Sequence, residues 1–594
     1  MADGTHTNNT TASAMRVDRA QTESQRRAAW PATGPAMCVA LIGWAHLPLQ
    51  AAEGSGYNLS ASELAAGLTL CGHRVFSLRS GMHYTPTLIP RIRRVERWRG
   101  VECFELLNSP NLSPAFANFR NTRTETACPR ESKLVLRWLD RVGAEVVHIH
   151  SMEGYGLDLI SAIRSTGRPV VVTLHNYWFV CPQVDLLHAE REVCMDYDGG
   201  RKCEGCLKPG PTGVEKLRRL TGRTLDRIVG YHASQIFWKV MSRSMALIRR
   251  PANGDDRTPG VDRVSIPAQD LAAGFDLPER ADREGEMDLG LRLGSADEPK
   301  RLGRSGLDQN ERFLKGDHHL NVLNDAGRRR IAGVEALNHA SLVTPPSDFV
   351  RRVHVRMGVD ERRTRRVLLG QPHFDLLNRR ARLSPFYDTR PWDPGSAHRP
   401  LRFGFFGTVR ANKGLEILVS AIPLLGREVR RRCQFLIHAA GWDWPFRKRL
   451  SVYPEVSFKG GYDVLHLLSA WGEYDVGVLS HVWFENSPLV MLEHLHAGKF
   501  VLCPRLGGPP EWIKPPANGL LYPAGSPEAL ADCITRLVEG GVTIPSPRQI
   551  HDATPSLRSY PEHVREVESI YREVLGQAPA PEIATRVSAS VAAG

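Results

Sequence analysis

Short apolar runs alternate with amphipathic stretches along the first third of the chain. Residues 38–42 are all apolar, as in a strand that is buried on both faces. A glycine loop and a helical stretch follow, and further strands are predicted at residues 72–76, 146–150 and 169–175. Apolar strands that alternate with amphipathic helices predict a parallel, doubly wound sheet.

The pattern decays in the middle of the chain. Between residues 247 and 310 the only aromatic residue is Phe275, and Asp, Arg, Gly and Pro dominate. Such a segment buries too little apolar area to offset its ordering entropy, so we predict a disordered insertion over about residues 247–320. Alternation resumes at residues 340–344 and 367–369.

A second α/β pattern begins after a linker that contains several prolines. Its predicted strands are residues 403–406, 434–437, 456–458, 476–479 and 500–502. We therefore predict an N-terminal domain over residues 37–395 and a C-terminal domain over residues 401–575, with disordered tails at residues 1–36 and 576–594. Two open α/β domains of this kind face each other across a cleft, and ligands bind at the carboxyl ends of the strands.

Composition and charge narrow the partners. The formal net charge of +13 favours anionic partners such as nucleotide diphosphates, lipid headgroups or nucleic acid, although a basic surface also serves solubility alone. We expect no nucleic acid, because the chain has neither an RNA-binding aromatic signature nor a finger-type Cys/His spacing. No apolar run is long enough to span a membrane, the first 36 residues lack an apolar signal core, and cysteines are few. These features predict a cytoplasmic protein.

An anion-binding turn is predicted after the first strand of the second domain. Gly407 ends this strand, Lys413 opens the next helix, and Arg410 lies between them. Free N–H groups at a helix N-terminus and a flexible cation favour a diphosphate. The alternative is an ordinary strand-to-helix turn with two solvated cations.

Two glutamates stand eight residues apart later in the same domain. Glu485 follows the strand at residues 476–479, and Glu493 lies about two turns along the next helix. Carboxylates in these places accept hydrogen bonds from sugar or ribose hydroxyls. Alternatively, Glu485 is a helix N-terminal carboxylate and Glu493 a solvated charge. Gly507 and Gly508 then allow a backbone to approach a ligand closely.

In order and spacing, these motifs resemble the C-terminal domain of retaining GT-B glycosyltransferases of the family often numbered four. The first domain is also similar, because residues 54–56 resemble the glycine loop of that family and residues 173–176 its Thr-x-His-Asp segment. The chain departs from the family at Thr408, where arginine is usual, and at Asn176, where aspartate is usual. Family members also lack the long insertion.

The resemblance implies that a sugar moves from a nucleotide diphosphate sugar to an acceptor hydroxyl, with retention and without a metal ion. The acceptor is a saccharide, a lipid-linked molecule or another hydroxyl compound. The implied catalytic residues are His175, Lys413 and Glu485. The implied donor-binding residues are Gly54, Gly56, Gly407, Arg410, Lys413, Glu485, Ser487, Leu489 and Glu493. Two alternatives remain open: a non-catalytic sugar-nucleotide-binding protein on a decayed GT-B fold, and a GT-B sugar-nucleotide epimerase.

Two further features stand apart from this site. The cysteines Cys181, Cys194, Cys203 and Cys206 predict a structural zinc or iron–sulfur site, although two unrelated thiols and a chance pair give the same spacing. Residues 91–99 hold five arginines and Trp98. Such a segment docks an anionic membrane surface or is a solvated cationic loop, so peripheral membrane contact is a second partner prediction.

Overall fold

The structure of the protein is a computed structural model. It describes residues 34–48, 56–119, 121–189, 192–206, 215–221, 306–315, 322–395, 398–462, 464–554 and 556–577, together with residues 213 and 237. Across these ranges no helix is long and apolar enough to cross a membrane.

The first sheet has seven strands in the order β3-β4-β2-β1-β5-β6-β9. Its strands are β1 (Cys38–Gly43), β2 (Arg74–Ser80), β3 (Arg91–Trp98), β4 (Val101–Leu107), β5 (Val146–Ile149), β6 (Val170–Thr173) and β9 (Leu342–Thr344). A separate small hairpin is formed by β7 (Leu187–His188) and β8 (Glu192–Val193). If the edge strand β3 is set aside, the strand order is that of a doubly wound sheet. Strands β2 and β4 are added on one side of β1, and from β5 onward strands are added on the other side, so the winding reverses between β1 and β5.

The helices that precede the second sheet in sequence pack mainly on the first domain, except the last one, in which Phe374 and Leu377 lie in buried clusters with Phe403 and Phe406 of the second domain. They are α1 (Gly56–Leu70), α2 (Thr122–Thr126), α3 (Pro129–Val142), α4 (Asp158–Arg164), α5 (Arg201–Cys206), α6 (Gly306–Lys315), α7 (Asp325–His339), α8 (Asp348–Arg356) and α9 (Pro372–Leu383). Local sequence sets several of their ends. Helix α3 begins with Pro129, which lacks an N–H group at a position where the helix provides no acceptor for one. It ends before Gly143, which has φ 66°.

The arginine-rich segment is the edge of the first sheet. Strand β3 pairs antiparallel with β4, and its residues alternate between exposed and half-buried. Residues 91–98 therefore form a strand and not the solvated loop that the sequence left as an alternative. Charged residues along an edge strand also discourage pairing with another sheet.

The second sheet has six parallel strands in the order β12-β11-β10-β13-β14-β15. They are β10 (Leu401–Thr408), β11 (Cys433–Ala440), β12 (Val456–Gly460), β13 (Val476–Val478), β14 (Phe500–Pro504) and β15 (Gly519–Tyr522). The helices are α10 (Leu415–Leu424), α11 (Arg427–Arg431), α12 (Trp444–Leu450), α13 (Val464–Ala470), α14 (Leu489–His496), α15 (Pro527–Val538), α16 (Pro547–Asp552) and α17 (Tyr560–Val574). The winding reverses between β10 and β13, as it does between β1 and β5.

Two parallel, doubly wound domains confirm the predicted GT-B fold class. Three local expectations differ from the structure. Residues 367–369 form no strand; Val367 instead donates its N–H to Pro345 O at 3.0 Å beside the first sheet. Most of the predicted insertion lies outside the described residues, but residues 306–315 within it form helix α6.

The third difference concerns α17. Its place in the sequence predicts that this helix belongs to the second domain, but its apolar face packs against the first. Val564, Val567 and Tyr571 share a buried cluster with Leu64 and Leu68 of α1. The apolar stripe of an amphipathic helix says that a face is buried, but not which domain buries it.

Candidate functional site

The point where the winding of the second sheet reverses brings two predicted residues together. Helices leave β10 and β13 on opposite faces of the sheet, so a crevice opens between the loops that follow these strands. Lys413 lies in the loop after β10 and Glu485 in the loop after β13. The Lys413 ammonium donates a hydrogen bond to Glu485 Oε1 in an ion pair.

Close backbone packing holds the two loops against each other. Gly414 has φ 66°, and any side chain there would collide with the backbone oxygen of Ser480. The N–H of Val482 donates to Asn412 O at 3.1 Å. The Lys413 ammonium also lies 5.3 Å from the centre of the Trp483 ring, within the range of a cation–π contact. Glycine at position 414 is therefore required for the approach that makes the ion pair.

Glu485 is buried and ionised. Burial by itself raises the pKa of its carboxyl group, but the charges of Lys413 and His481 outweigh burial and hold this pKa below its ordinary value. A buried carboxylate beside a half-exposed cation is suited to exchange one partner for another, because a ligand with its own negative charge competes for Lys413.

Glu493 lies on α14 with its carboxylate buried. Its Oε1 is 2.9 Å from His373 Nε2 of α9, and its Oε2 has no hydrogen-bond partner among the described residues. Burial, followed by the charges of Glu493 and Glu485, raises the pKa of Tyr462, so this phenol lies near both carboxylates. Glu493 is thus not the solvated charge that the sequence left as an alternative.

The remaining predicted donor residues differ in position. The hydroxyl group of Ser487 is buried without a hydrogen-bond partner in the described part of the chain. Leu489 begins α14 and faces the first domain, since a Cβ atom at Gly56 would lie 3.4 Å from Leu489 Cδ1. Arg410 is exposed at the start of a short turn, and Gly407 lies within β10. Gly54 lies outside the described residues.

The first domain contributes histidines to the facing edge. His175 follows β6, and its Nε2 shares a hydrogen bond with Nδ1 of His150 at 3.0 Å. Burial, followed by the charge of His563, lowers the pKa of His175 to about 3. Burial, and then His148, also lowers the pKa of His150 well below its ordinary value. Both imidazoles are therefore neutral near neutral pH and act only as hydrogen-bonding groups.

Asn486 connects the two halves of the site. Its Nδ2 donates to the backbone oxygen of Leu174 at 2.6 Å, and its Oδ1 accepts from the Ser347 hydroxyl at 3.2 Å. The carboxylate of Glu511 accepts the N–H groups of Asp348 and Phe349 at the start of α8. Because Leu174 precedes His175 and Asn486 follows Glu485, these bonds hold the predicted catalytic residues of both domains at one cleft.

The departure from the family pattern at Asn176 has a local explanation. Asn176 Nδ2 is 3.3 Å from Glu153 Oε1, and Asn176 Oδ1 accepts the N–H of Trp178 at 3.0 Å. Burial raises the pKa of Glu153 to about 7. An aspartate at position 176 would bring a second carboxylate against Glu153, whereas the amide of Asn176 donates a hydrogen bond to that carboxylate.

The cysteine cluster does not fit the predicted metal site. Cys181, Cys194, Cys203 and Cys206 line one small pocket, and burial raises the pKa of each thiol. Cys206 Sγ donates to Gln183 Oε1 at 3.0 Å and accepts the N–H of Ala189 at 3.2 Å. None of the eleven cysteines forms a disulfide, and no group of three or more metal-ligating side chains occurs in the ranges that the structure describes. The zinc or iron–sulfur prediction therefore finds no support.

The fold and the site define a protein of GT-B architecture with an ion-paired lysine and glutamate in its second domain. Residues 400–540 match the family model described as "Glycosyl transferases group 1". For the second domain, this match confirms the resemblance to glycosyltransferases at the level of group 1. No curated protein matches the chain.

Several solved structures align with about nine-tenths of the chain. HepE from Anabaena, in complex with UDP and glucose, has a TM-score of 0.47 at 13% identity, covering 90% of this chain and 100% of that chain. Sucrose-phosphate synthase from Thermosynechococcus elongatus has a TM-score of 0.49 at 14% identity, covering 91% and 99%. A UDP-forming α,α-trehalose-phosphate synthase from Burkholderia xenovorans, in complex with glucose-6-phosphate, has a TM-score of 0.46 at 11% identity, covering 90% and 98%.

Sequence reasoning missed three residues of the site. His150 ends a predicted strand beside the reversal point of the first sheet, and this position was the available signal. Asn486 lies inside the glutamate motif, but its bond to Leu174 depends on how the domains face each other. His373 is distant from Glu493 in sequence, and no local pattern indicates that the two side chains meet.

Proposed function

We propose that the chain is a retaining, metal-independent glycosyltransferase that moves a sugar, such as a hexose, from a nucleotide diphosphate sugar to an acceptor hydroxyl. The observation that carries this proposal is the Lys413–Glu485 pair at the reversal point of the second sheet. This ion pair places one cation, which suits a diphosphate, directly beside one carboxylate, which suits sugar hydroxyls. The family match of residues 400–540 supports the same activity.

In the proposed reaction, the bond between the anomeric carbon and the diphosphate oxygen breaks, the acceptor oxygen bonds to that carbon, and the acceptor's hydroxyl proton passes to the departing diphosphate. Negative charge grows on the departing phosphate, and Lys413 stabilises it together with the N–H groups at the start of α10. The incoming diphosphate takes Lys413 from Glu485, which frees the carboxylate to accept hydrogen bonds from the donor sugar. Arg410 is exposed beside this turn and adds a second cation.

The other predicted residues receive supporting roles. Glu493 accepts a ribose hydroxyl through Oε2, the oxygen that His373 leaves without a partner. Ser487 has a buried hydroxyl with no partner in the described part of the chain, and it contacts the donor beside Leu489. His175 is neutral, so it orients the sugar or the acceptor by hydrogen bonding and does not carry a charge.

The test measures nucleoside diphosphate release from a panel of nucleotide sugars in EDTA. We expect release from one donor, and its loss in Glu485→Gln and Lys413→Ala. The matched controls are Glu539→Gln and Lys448→Ala, since both residues are exposed on helices or helix ends away from the crevice. The anomeric configuration of the product, determined by NMR, tests retention. Inversion, or a requirement for a divalent ion, would contradict those parts of the proposal.

The same samples separate the alternatives. Binding of a nucleotide sugar by calorimetry, without release in the presence of any acceptor, would identify a non-catalytic binding protein. Conversion of one nucleotide sugar into its epimer would identify an epimerase. Absence of binding for every member of the panel would overturn the proposal itself.

We also propose that the edge of the first domain docks on an anionic membrane, where a lipid-linked acceptor would be met. Leu88 and Ile89 are 57% and 65% exposed beside β3. Arg91 and Arg97 are exposed and have no ion pair with any described residue, whereas Arg93 pairs with Glu105 at 3.0 Å. Exposed aliphatic side chains next to unpaired arginines combine apolar insertion with charge attraction.

Vesicle co-sedimentation at low salt tests this docking. Wild-type protein should sediment with vesicles that contain phosphatidylglycerol and not with pure phosphatidylcholine. The double variant Leu88→Glu, Ile89→Glu should lose this binding, while Leu383→Glu, at a leucine 77% exposed elsewhere, should keep it. Equal sedimentation of the double variant and the wild type would refute a docking role for this edge.

A further inference from the structure

Helix α6 ends the long insertion that distinguishes this chain from the family it resembles, and it lies where the two domains meet. Phe313 of α6 is fully buried, and its ring centre is 5.0 Å from that of Phe484. Phe349 of the first-domain helix α8 packs against the same Phe484 ring at 4.9 Å. Phe313 thus belongs to a core that joins side chains of both domains.

A second contact of α6 reaches a neighbouring backbone segment. Asn310 Nδ2 donates to Gly507 O at 3.0 Å, and Gly507 N–H donates to Asn310 Oδ1 at 2.9 Å. One amide side chain therefore satisfies both polar backbone groups of Gly507. This pairing fixes the orientation of the Gly507 peptide groups and holds them against α6.

Gly507 in turn lies directly against Glu485. It has φ 76°, and a side chain at this position would collide with the Glu485 backbone. The N–H of the next residue, Gly508, donates to Glu485 O at 2.8 Å. Glu485 is therefore supported from two directions: through Phe484, its neighbour in sequence, and through the glycine pair. Helix α6 contacts both supports.

We propose that α6 positions Glu485, with Asn310 as the residue that holds the Gly507–Gly508 backbone in the donor-binding arrangement. This inference rests on the proposed donor-binding function of Glu485 and assigns a role to the insertion. A carboxylate that recognises sugar hydroxyls must be held within a fraction of an ångström of its productive position. Asn310 is a positioning residue and does not contact the donor itself. An ion pair at 4.0 Å between Glu311 and Arg352 ties the same helix to α8.

The experiment compares Asn310→Ala with Asn338→Ala. Asn338 is a matched control, because it makes the same kind of double contact with backbone at a distant place: it donates to Gly358 O at 2.9 Å and accepts from Asp360 N at 2.8 Å. Alanine is the most favourable helical residue, so Asn310→Ala does not weaken α6 by propensity. Asn310→Asp is a second variant. It keeps the acceptor for Gly507 N–H, but it replaces the donor to Gly507 O with a carboxylate oxygen, so one of the two hydrogen bonds is lost.

The first measurement is amide hydrogen exchange in the ligand-free protein. Peptides that contain residues 484–490 and 505–510 should exchange about tenfold faster in Asn310→Ala, because two hydrogen bonds are lost. Asn338→Ala should leave these peptides unchanged. Unchanged exchange in both Asn310 variants would overturn the positioning role, whether or not the protein binds nucleotide sugars.

The second measurement is calorimetric affinity for the donor found in the release assay and for its free nucleoside diphosphate. Because Glu485 contacts the sugar part, both Asn310 variants should bind the nucleotide sugar about tenfold more weakly, with a smaller change for the free diphosphate. Equal weakening of both ligands would refute the link to Glu485. If the wild type binds no nucleotide sugar, the proposed function fails, and the exchange result still decides whether α6 holds the loop.

Discussion

The corresponding edges of the two sheets differ in charge although their strands follow the same order. In the first sheet, the loops after β5 and β6 carry the buried His150 and the half-buried His175, whose imidazoles are kept neutral by desolvation. In the second sheet, the loops after β10 and β13 carry Lys413 and Glu485, both charged. The shared topology provides a crevice in each domain, and the side chains at its edge decide what that crevice binds.

This difference is consistent with a division of labour across the cleft. A nucleotide diphosphate is strongly anionic, so the side that holds it needs a cation and a means of neutralising that cation when no donor is present. An acceptor hydroxyl and a sugar ring are uncharged and require only directed hydrogen bonds. Four predictions test whether the charged and neutral edges differ in this way, from the largest expected effect to the smallest.

The charged edge should behave as one unit. Lys413→Ala and Glu485→Gln should each lower kcat/KM by about 10²- to 10³-fold, because in the proposed function each removes a group that contacts the donor in the transition state. The double variant should lose little more than either single variant. A double-mutant cycle of kcat/KM measures this coupling. If the two losses in kcat/KM multiply in the double variant, the two residues act independently, and the charged edge does not work as one unit.

The histidines of the neutral edge should contribute to the reaction rate without changing their protonation state near neutral pH. His175→Ala should lower kcat by about a hundredfold, because the substrate loses the orienting contact that the proposed function assigns to this residue. With the pKa of His175 held at about 3, the wild-type pH–rate profile should contain no step that disappears in this variant. Measurement of kcat from about pH 5 to pH 8 checks this. A step near the ordinary histidine pKa that vanishes in His175→Ala would mean that this residue carries charge.

Adding charge to the neutral edge should be costly. Asn176→Asp restores the aspartate usual in the family but places it against Glu153, which burial already makes hard to ionise. The free energy of unfolding should fall by about 2 kcal/mol, as expected for a buried charge without a partner. Urea denaturation measures the change. Asn378→Asp, where the side chain accepts from Arg382 at 2.7 Å, should cost nothing, and equal effects of the two variants would contradict the explanation.

Buried histidines of the first domain should make stability sensitive to acid. Burial lowers the pKa of His148 to about 3, so between its ordinary value of 6.5 and about 3 the unfolded chain binds a proton that the folded chain does not. Stability contributed by this group therefore falls as pH falls through that window. His148→Gln should reduce the slope of the unfolding free energy by about 1.4 kcal/mol per pH unit. The exposed His398→Gln is the control; identical slopes in the wild type and His148→Gln would contradict the prediction.

Prediction from sequence succeeded where a residue type and a local period were sufficient. The apolar runs located most strands of both sheets, because a strand buried on two faces must be apolar along its whole length. Lys413 and Glu485 each follow a strand whose carboxyl end opens into the crevice, and the structure joins them in an ion pair, while their roles in donor binding stay a prediction. The arginine-rich segment was harder: its composition indicated charge, while its place as an edge strand depends on pairing with β4.

Sequence patterns were least informative where a contact joins distant parts of the chain. The four cysteines have a suggestive spacing, but spacing does not say that Cys206 is engaged with Gln183. The insertion is poor in aromatic residues, yet Phe313 at its end is buried against Phe484, which is 171 residues away by position number. One well-placed aromatic ring is enough to dock a short helix, and average composition does not reveal it.

The sequence by itself determined the two doubly wound domains, their order and the residue types at the carboxyl ends of the strands. These follow from the period of apolar residues and from the rule that parallel strands are joined by helices. Only the tertiary structure decided that α17 packs on the first domain, that Asn486 bonds to Leu174, and that Asn310 holds Gly507. Each of these contacts depends on two surfaces meeting in three dimensions, and a pattern within one segment carries no record of its partner.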